Sequence, residues 1–223
     1  MTSPTPRERF RCAPESLLLY AVSDDAWLGG RTLASCCAQT VRGGATFLQL
    51  RAKRATTEEL ISAYAEIRDE LEREGLAGKV PFVIDDNVEA ALAVGADGVH
   101  VGQSDMAARR ARALLGPDKI LGVSAHNAAE ALAAQTDGAD YLGCGAAFVT
   151  GTKLDAHPVT AETMRAVTAA VSIPVVAIGG IEESNILQLQ GRGLAGVAVV
   201  SAIFAAQDPE AASRRLYELS GQL

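Results

Sequence analysis

Aromatic residues are scarce in this chain, 4% of 223, with a single tryptophan. Its composition therefore disfavours a surface that stacks sugars or nucleobases. Positive charge is short as well: 20 Lys plus Arg face 27 Asp plus Glu, a formal net charge of −7. There is no basic run, which argues against nucleic acid as a partner, because neutralised phosphates supply most non-specific affinity. The four cysteines, Cys12, Cys36, Cys37 and Cys144, show neither CxxC nor CxxH spacing. A zinc knuckle or disulfide framework is not expected, and a cytoplasmic setting is. Long apolar runs are missing too. Uncharged stretches near 166–181 and 193–207 are broken by Gly or Pro, and fall short of the roughly 20 residues a membrane helix needs. Residues 1–16 carry Pro4, Arg7, Glu8, Arg9 and Arg11 and no apolar signal core. They are expected to form a short disordered leader before one domain over 17–223.

What is present is aliphatic and punctuated by turns: 48% apolar residues and 21 glycines. Apolar runs at 17–23, 46–50, 81–85, 98–102, 119–124, 140–145, 174–179 and 196–201 alternate with helical patterns. The helices are expected near 31–42, 56–74, 87–94, 105–115, 127–136, 160–170, 183–190 and 209–220. Short strands without a polar face are parallel strands covered by helices. A weak repeat agrees: Gly44-Ala45, Gly95-Ala96, Gly138-Ala139 and Gly193-Leu194 each launch an even-numbered strand. Eight βα units in one chain describe a small α/β (β/α)8 TIM barrel, with an open doubly wound sheet as the alternative.

In such a barrel the chemistry sits at the C-terminal ends of the strands. Polar residues collect there: Gln49-Leu50-Arg51-Ala52-Lys53 after strand 2, Asp85-Asp86 after strand 3, Asp105 after strand 4 and Ser124 at the end of strand 5. Thr150-Gly151-Thr152-Lys153 follows strand 6. Arg51, Lys53 and Lys153 are cations able to converge on a diphosphate. Asp86 and Asp105, on neighbouring strands, suit a Mg²⁺ that arrives with substrate, since that ion keeps part of its water shell. Rim salt bridging is the plainer alternative for these charges. Gly179-Gly180 and Val200-Ser201 occupy the phosphate position after strands 7 and 8. Two anion sites imply two small phosphorylated substrates. His100 lies in an apolar strand and is expected to be packed and hydrogen-bonded, whereas His126 is placed to orient Ser124 or substrate.

These residues also resemble a family. Gln49-Leu50-Arg51-Ala52-Lys53, the run from Gly95 to Asp105, Gly122-Val123-Ser124-Ala125-His126, Thr150-Gly151-Thr152-Lys153-Leu154-Asp155 and Val176-Ala177-Ile178-Gly179-Gly180-Ile181 are similar to the thiamine phosphate synthase and thiazole tautomerase family. The likeness spans roughly residues 17–215. It implies condensation of hydroxymethylpyrimidine diphosphate with a thiazole phosphate (or its carboxylate), giving thiamine phosphate and diphosphate with one Mg²⁺. It implies a dissociative displacement in which no side chain acts as nucleophile. By motif, Arg51, Lys53 and Lys153 would hold the diphosphate. Ser124 would contact the pyrimidine or its leaving group, and Asp86 and Asp105 would hold the metal. Thr150, Thr152, Gly180, Val200 and Ser201 would take the thiazole phosphate.

The sequence departs from the family pattern in two places. Asp85 stands where the family has Asn, and Asp lacks the two N–H donors of an amide. Ala146 and Val149 replace two prolines, which removes a restraint on the loop after strand 6. The alternatives are thus a tautomerase on the same barrel, or a ligand-binding barrel with impaired catalysis. The sequence leaves homo-oligomer formation open.

Overall fold

The computed structural model describes residues 3–149 and 158–223. Eight parallel strands follow one another around a closed ring: β1 (Leu19–Val22), β2 (Phe47–Leu50), β3 (Phe82–Asp85), β4 (Gly98–Val101), β5 (Ile120–Ala125), β6 (Tyr141–Gly145), β7 (Val175–Ile178) and β8 (Gly196–Val199). Closure is made by Tyr20 of β1 pairing with Ala198 of β8. The ring excludes the open-sheet alternative.

Because side chains alternate along a strand, each strand serves two cores. Tyr20, Phe47, Val83, Tyr141, Val176 and Ala198 fill the barrel. Leu48, Leu50, Ile84, Val99, Leu121 and Leu142 face outward, against the helices. Those helices are α2 (Leu33–Arg42), α3 (Thr57–Arg73), α4 (Val88–Ala93), α5 (Ala108–Leu115), α6 (Ala128–Thr136) and α7 (Ala161–Ala170). After β8 come α8 (Ser201–Phe204) and α9 (Pro209–Ser220). α3 opens on a reciprocal cap: Thr56 accepts from the Glu59 N–H while the Glu59 carboxylate accepts from the Thr56 N–H. Among the described residues no helix is long and apolar enough to cross a membrane.

Two expectations need correction. The leader is not disordered over residues 3–16, because Pro6–Arg11 forms a helix, α1, with a complete capping box between Thr5 and Glu8. Its buried Phe10 enters the floor of the barrel, with ring centroids 5.8 Å from both Phe47 and Tyr141. Arg7 and Arg11 bond the buried Asp140 carboxylate at 2.7 and 3.0 Å, and Arg112 reaches its other oxygen at 2.7 Å. The helix expected at 183–190 contracts to a single 3-10 turn, Ile186–Leu189. There Asn185 accepts from the Glu182 N–H and donates to the Gly180 carbonyl, so its side chain competes with the helical ladder.

Candidate active site

The strands' C-terminal ends surround a cavity of about 480 Å³. Alternation along the end of β2 aims Gln49, Arg51 and Lys53 into it. Leu50 and Ala52 between them pack outward against the helical layer instead. Asp85, Asp86, Asp105, Ser124, Gly180, Val200 and Ser201 also border the cavity. Thr150, Gly151, Thr152 and Lys153 lie outside the described residues.

The charges are interlocked. Arg51 donates to Asp24 at 2.8 Å and has Asp85 at 3.7 Å. Lys53 bonds Asp86 at 2.8 Å and lies 3.9 Å from Asp85. Asp86 takes a left-handed conformation, φ 59°, which a short polar side chain tolerates better than most. Its N–H donates to the His100 carbonyl at 2.7 Å, anchoring the carboxylate beside β4. Asp105 accepts from the Gly102 N–H at 2.9 Å. A side chain at position 102 would meet that same oxygen.

Burial, then the charge of Asp86, pushes the Asp85 carboxyl up to about 7. Asp105 is raised as well, first by burial and next by Asp86 beside it. Burial works against the Lys53 ammonium, but the Asp86 hydrogen bond and three nearby carboxylates raise it on balance. Four carboxylates thus face two described cations, Arg51 and Lys53, and a bound diphosphate would deepen the deficit. The donor set fits a divalent ion: hard oxygen ligands crowded together at the strand ends. Asp86 and Asp105 would hold it. Among the described residues no group of three or more His, Cys, Asp or Glu could do so alone, which suits an ion shared with substrate.

On the far side, Gly179, Gly180, Val200 and Ser201 form the wall contributed by β7 and β8. Gly180 has φ 65°, and a Cβ there would sit 2.5 Å from the Val149 carbonyl oxygen, so the two loops approach only across a glycine. His100 is buried and hydrogen-bonded, with Nε2 3.1 Å from Ser124 Oγ and Nδ1 3.1 Å from Tyr141 Oη. Burial lowers its pKa to about 4, so it is a neutral imidazole at ordinary pH. His126 does not orient Ser124; it is turned to Glu130, 3.0 Å away. The Ser124 carbonyl is held by the Gln103 side chain at 2.5 Å. Tyr20, Asp24 and Tyr141 carry no motif that marks them in the sequence. Only the inward parity of Tyr20 and Tyr141 on their strands hinted at a place near the cavity.

The family model for thiamine monophosphate synthase matches residues 19–203. The chain belongs to the thiamine monophosphate synthase family. It is 48% identical over 202 residues to the thiamine-phosphate synthase of Chloroflexus aurantiacus, covering 90% of this chain and 91% of that one. It is 47% identical to the Moorella thermoacetica thiamine-phosphate synthase, covering 90% and 94%. Among solved structures, the thiamine phosphate pyrophosphorylase from Pyrococcus furiosus superposes with a TM-score of 0.82 at 35% identity, covering 93% of this chain and 97% of that one. A 3-hexulose-6-phosphate synthase, TM-score 0.62 and 18% identical, shares the barrel alone. The synthase relatives favour condensation over tautomerisation.

Proposed function

We propose that this member of the thiamine monophosphate synthase family condenses 4-amino-2-methyl-5-(diphosphooxymethyl)pyrimidine with 4-methyl-5-(2-phosphoethyl)thiazole, or its carboxylate, to give thiamine phosphate and diphosphate. The observation that carries it is one cavity collecting Gln49, Arg51, Lys53, Asp86 and Asp105 from three strand ends, in a chain 47–48% identical to two thiamine-phosphate synthases. The diphosphate departs with the electron pair of the methylene C–O bond, and the thiazole nitrogen supplies the pair for the new C–N bond. Arg51 and Lys53 stabilise the departing charge, with Lys153 assigned to the same task. Mg²⁺ held by Asp86 and Asp105 would supply Lewis-acid neutralisation of the diphosphate oxygens.

Ser124 and Gln49 orient the pyrimidine. Gly180, Val200 and Ser201, together with Thr150 and Thr152, hold the thiazole phosphate. Holding both rings in line can supply up to about 7–11 kcal/mol of the barrier. No nucleophilic side chain is needed, and Ser124 is a contact, not an attacking group. The four thiols are unpaired, which fits cytoplasmic residence.

Chelation and substitution test this reading together. Metal chelation should abolish thiamine phosphate formation, and added Mg²⁺ should restore it. Arg51→Ala should lower kcat/KM for the pyrimidine diphosphate by about 10²-fold or more, in the range of other charge-stabilising donors. Undiminished turnover after either treatment would contradict the assignment.

A further inference from the structure

Three buried side chains that take no part in bond making run through the barrel between two residues at the cavity. Gln49 Nε2 donates to Tyr20 Oη at 2.6 Å, and Tyr20 Oη lies 2.8 Å from Tyr141 Oη. Tyr141 Oη meets His100 Nδ1 at 3.1 Å, and His100 Nε2 meets Ser124 Oγ at 3.1 Å. The five residues come from β2, β1, β6, β4 and β5, so nothing local brings them together. Room for the central contact is left by Gly122, which stands between His100 and Tyr141 in the strand register. A Cβ at that position would collide with both the tyrosine hydroxyl and the imidazole Nδ1.

A chain of this kind has a direction. An amide nitrogen only donates, and a neutral imidazole has one donor and one acceptor nitrogen. Gln49 donates to Tyr20, and carried on from there every link is paired when Tyr20 donates to Tyr141 and Tyr141 donates to His100 Nδ1. His100 Nε2–H then donates to Ser124 Oγ. Two groups at the cavity remain without partners among the described residues. Gln49 Oε1 is an acceptor, and the Ser124 hydroxyl proton is a donor.

We propose that Tyr20, Tyr141 and His100 are positioning residues that fix this polarity, so that the cavity selects a heteroaromatic ring carrying an amino N–H and a bare ring nitrogen. The proposal rests on the condensation assigned above and names what selects its pyrimidine. An aminopyrimidine offers its N–H to Gln49 and its ring nitrogen to Ser124. The oxo counterpart presents a carbonyl and a ring N–H, the inverse pattern. A site built to pair a polar group rejects the mismatched analogue strongly, because its own buried groups are left unpaired.

The test is calorimetric binding, with Mg²⁺, of the 4-aminopyrimidine diphosphate and of its 4-oxo analogue. The proteins are the unmodified chain, Tyr20→Phe, Tyr141→Phe and the double variant. The unmodified chain should favour the amino compound by about 100-fold or more. Each Phe variant lacks only a hydroxyl and should cut that preference about tenfold, about 1.4 kcal/mol. Binding of the thiazole phosphate should stay within about twofold, as expected for a partner that the hydrogen-bonded chain does not touch. The double variant should lose little more than either single one, as for two links of one chain.

A merely structural role would lower the melting temperature and leave the preference intact. That outcome overturns the proposal, as does an unmodified chain that prefers the oxo compound or binds neither. Should Tyr141→Phe fail to fold, Tyr20→Phe decides alone. A chain that discriminates without condensing refutes the assigned reaction and supports the proposal; one that condenses without discriminating does the reverse.

Discussion

Asp85 and His100 face each other across the β3–β4 register, and burial moves their proton affinities in opposite senses. The Asp85 carboxyl, pushed up to about 7 by burial first and by Asp86 next, holds its proton more tightly folded than unfolded. Its contribution to stability therefore falls as pH rises from about 4 to about 7. His100, lowered to about 4 by burial, holds its proton less tightly folded than unfolded. Its contribution rises with pH between about 4 and 6.5, by roughly 3 kcal/mol in full. The two slopes oppose each other over the same window. In urea unfolding of the metal-free protein, Asp85→Asn should make stability climb more steeply with pH, and His100→Gln should make it climb less. Equal slopes in both variants would show that neither burial is felt. For activity, Asp85→Asn restores the amide usual in the family and should preserve or raise Mg²⁺-dependent turnover. Complete loss would show that this carboxylate has a role of its own.

Helix α1 was hidden in the sequence although its signals were there. Thr5-Pro6-Arg7-Glu8 is a capping box with proline at the first helical position. What residues 1–16 lacked was an apolar stripe, because α1 buries one side chain, Phe10, and otherwise docks through arginines. Phe10→Ala should leave a gap beneath Phe47 and Tyr141 and cost about 3–5 kcal/mol. For a chain of this size that lowers the thermal midpoint by roughly 10 °C, readable by calorimetry. A shift of a degree or two would mean that α1 only rests on the barrel. The strands were legible because runs such as Leu17–Ser23 have no polar face. The 183–190 segment was not, because Asn185 diverts the backbone in a way no periodicity reveals.

Across the whole molecule, an acidic chain carries Arg51 and Lys53 into one cavity among Asp24, Asp85, Asp86 and Asp105. Strand-end position made most of that set readable in the sequence, with Asp24 the exception. The Gln49-to-Ser124 chain was not readable. Tyr20 and Tyr141 are 121 residues apart and look like ordinary core until the barrel closes. Pairing of an acidic mouth with two described cations accounts for the expected metal requirement.

Diphosphate release tests the central claim most directly. The purified chain is mixed with the pyrimidine diphosphate, the thiazole phosphate and Mg²⁺, and with each substrate alone. The expected result is release in step with thiamine phosphate, seen only when both substrates and the metal are present. No release from the complete mixture would contradict the account; isomerisation of a thiazole phosphate carboxylate in its place would point to the tautomerase.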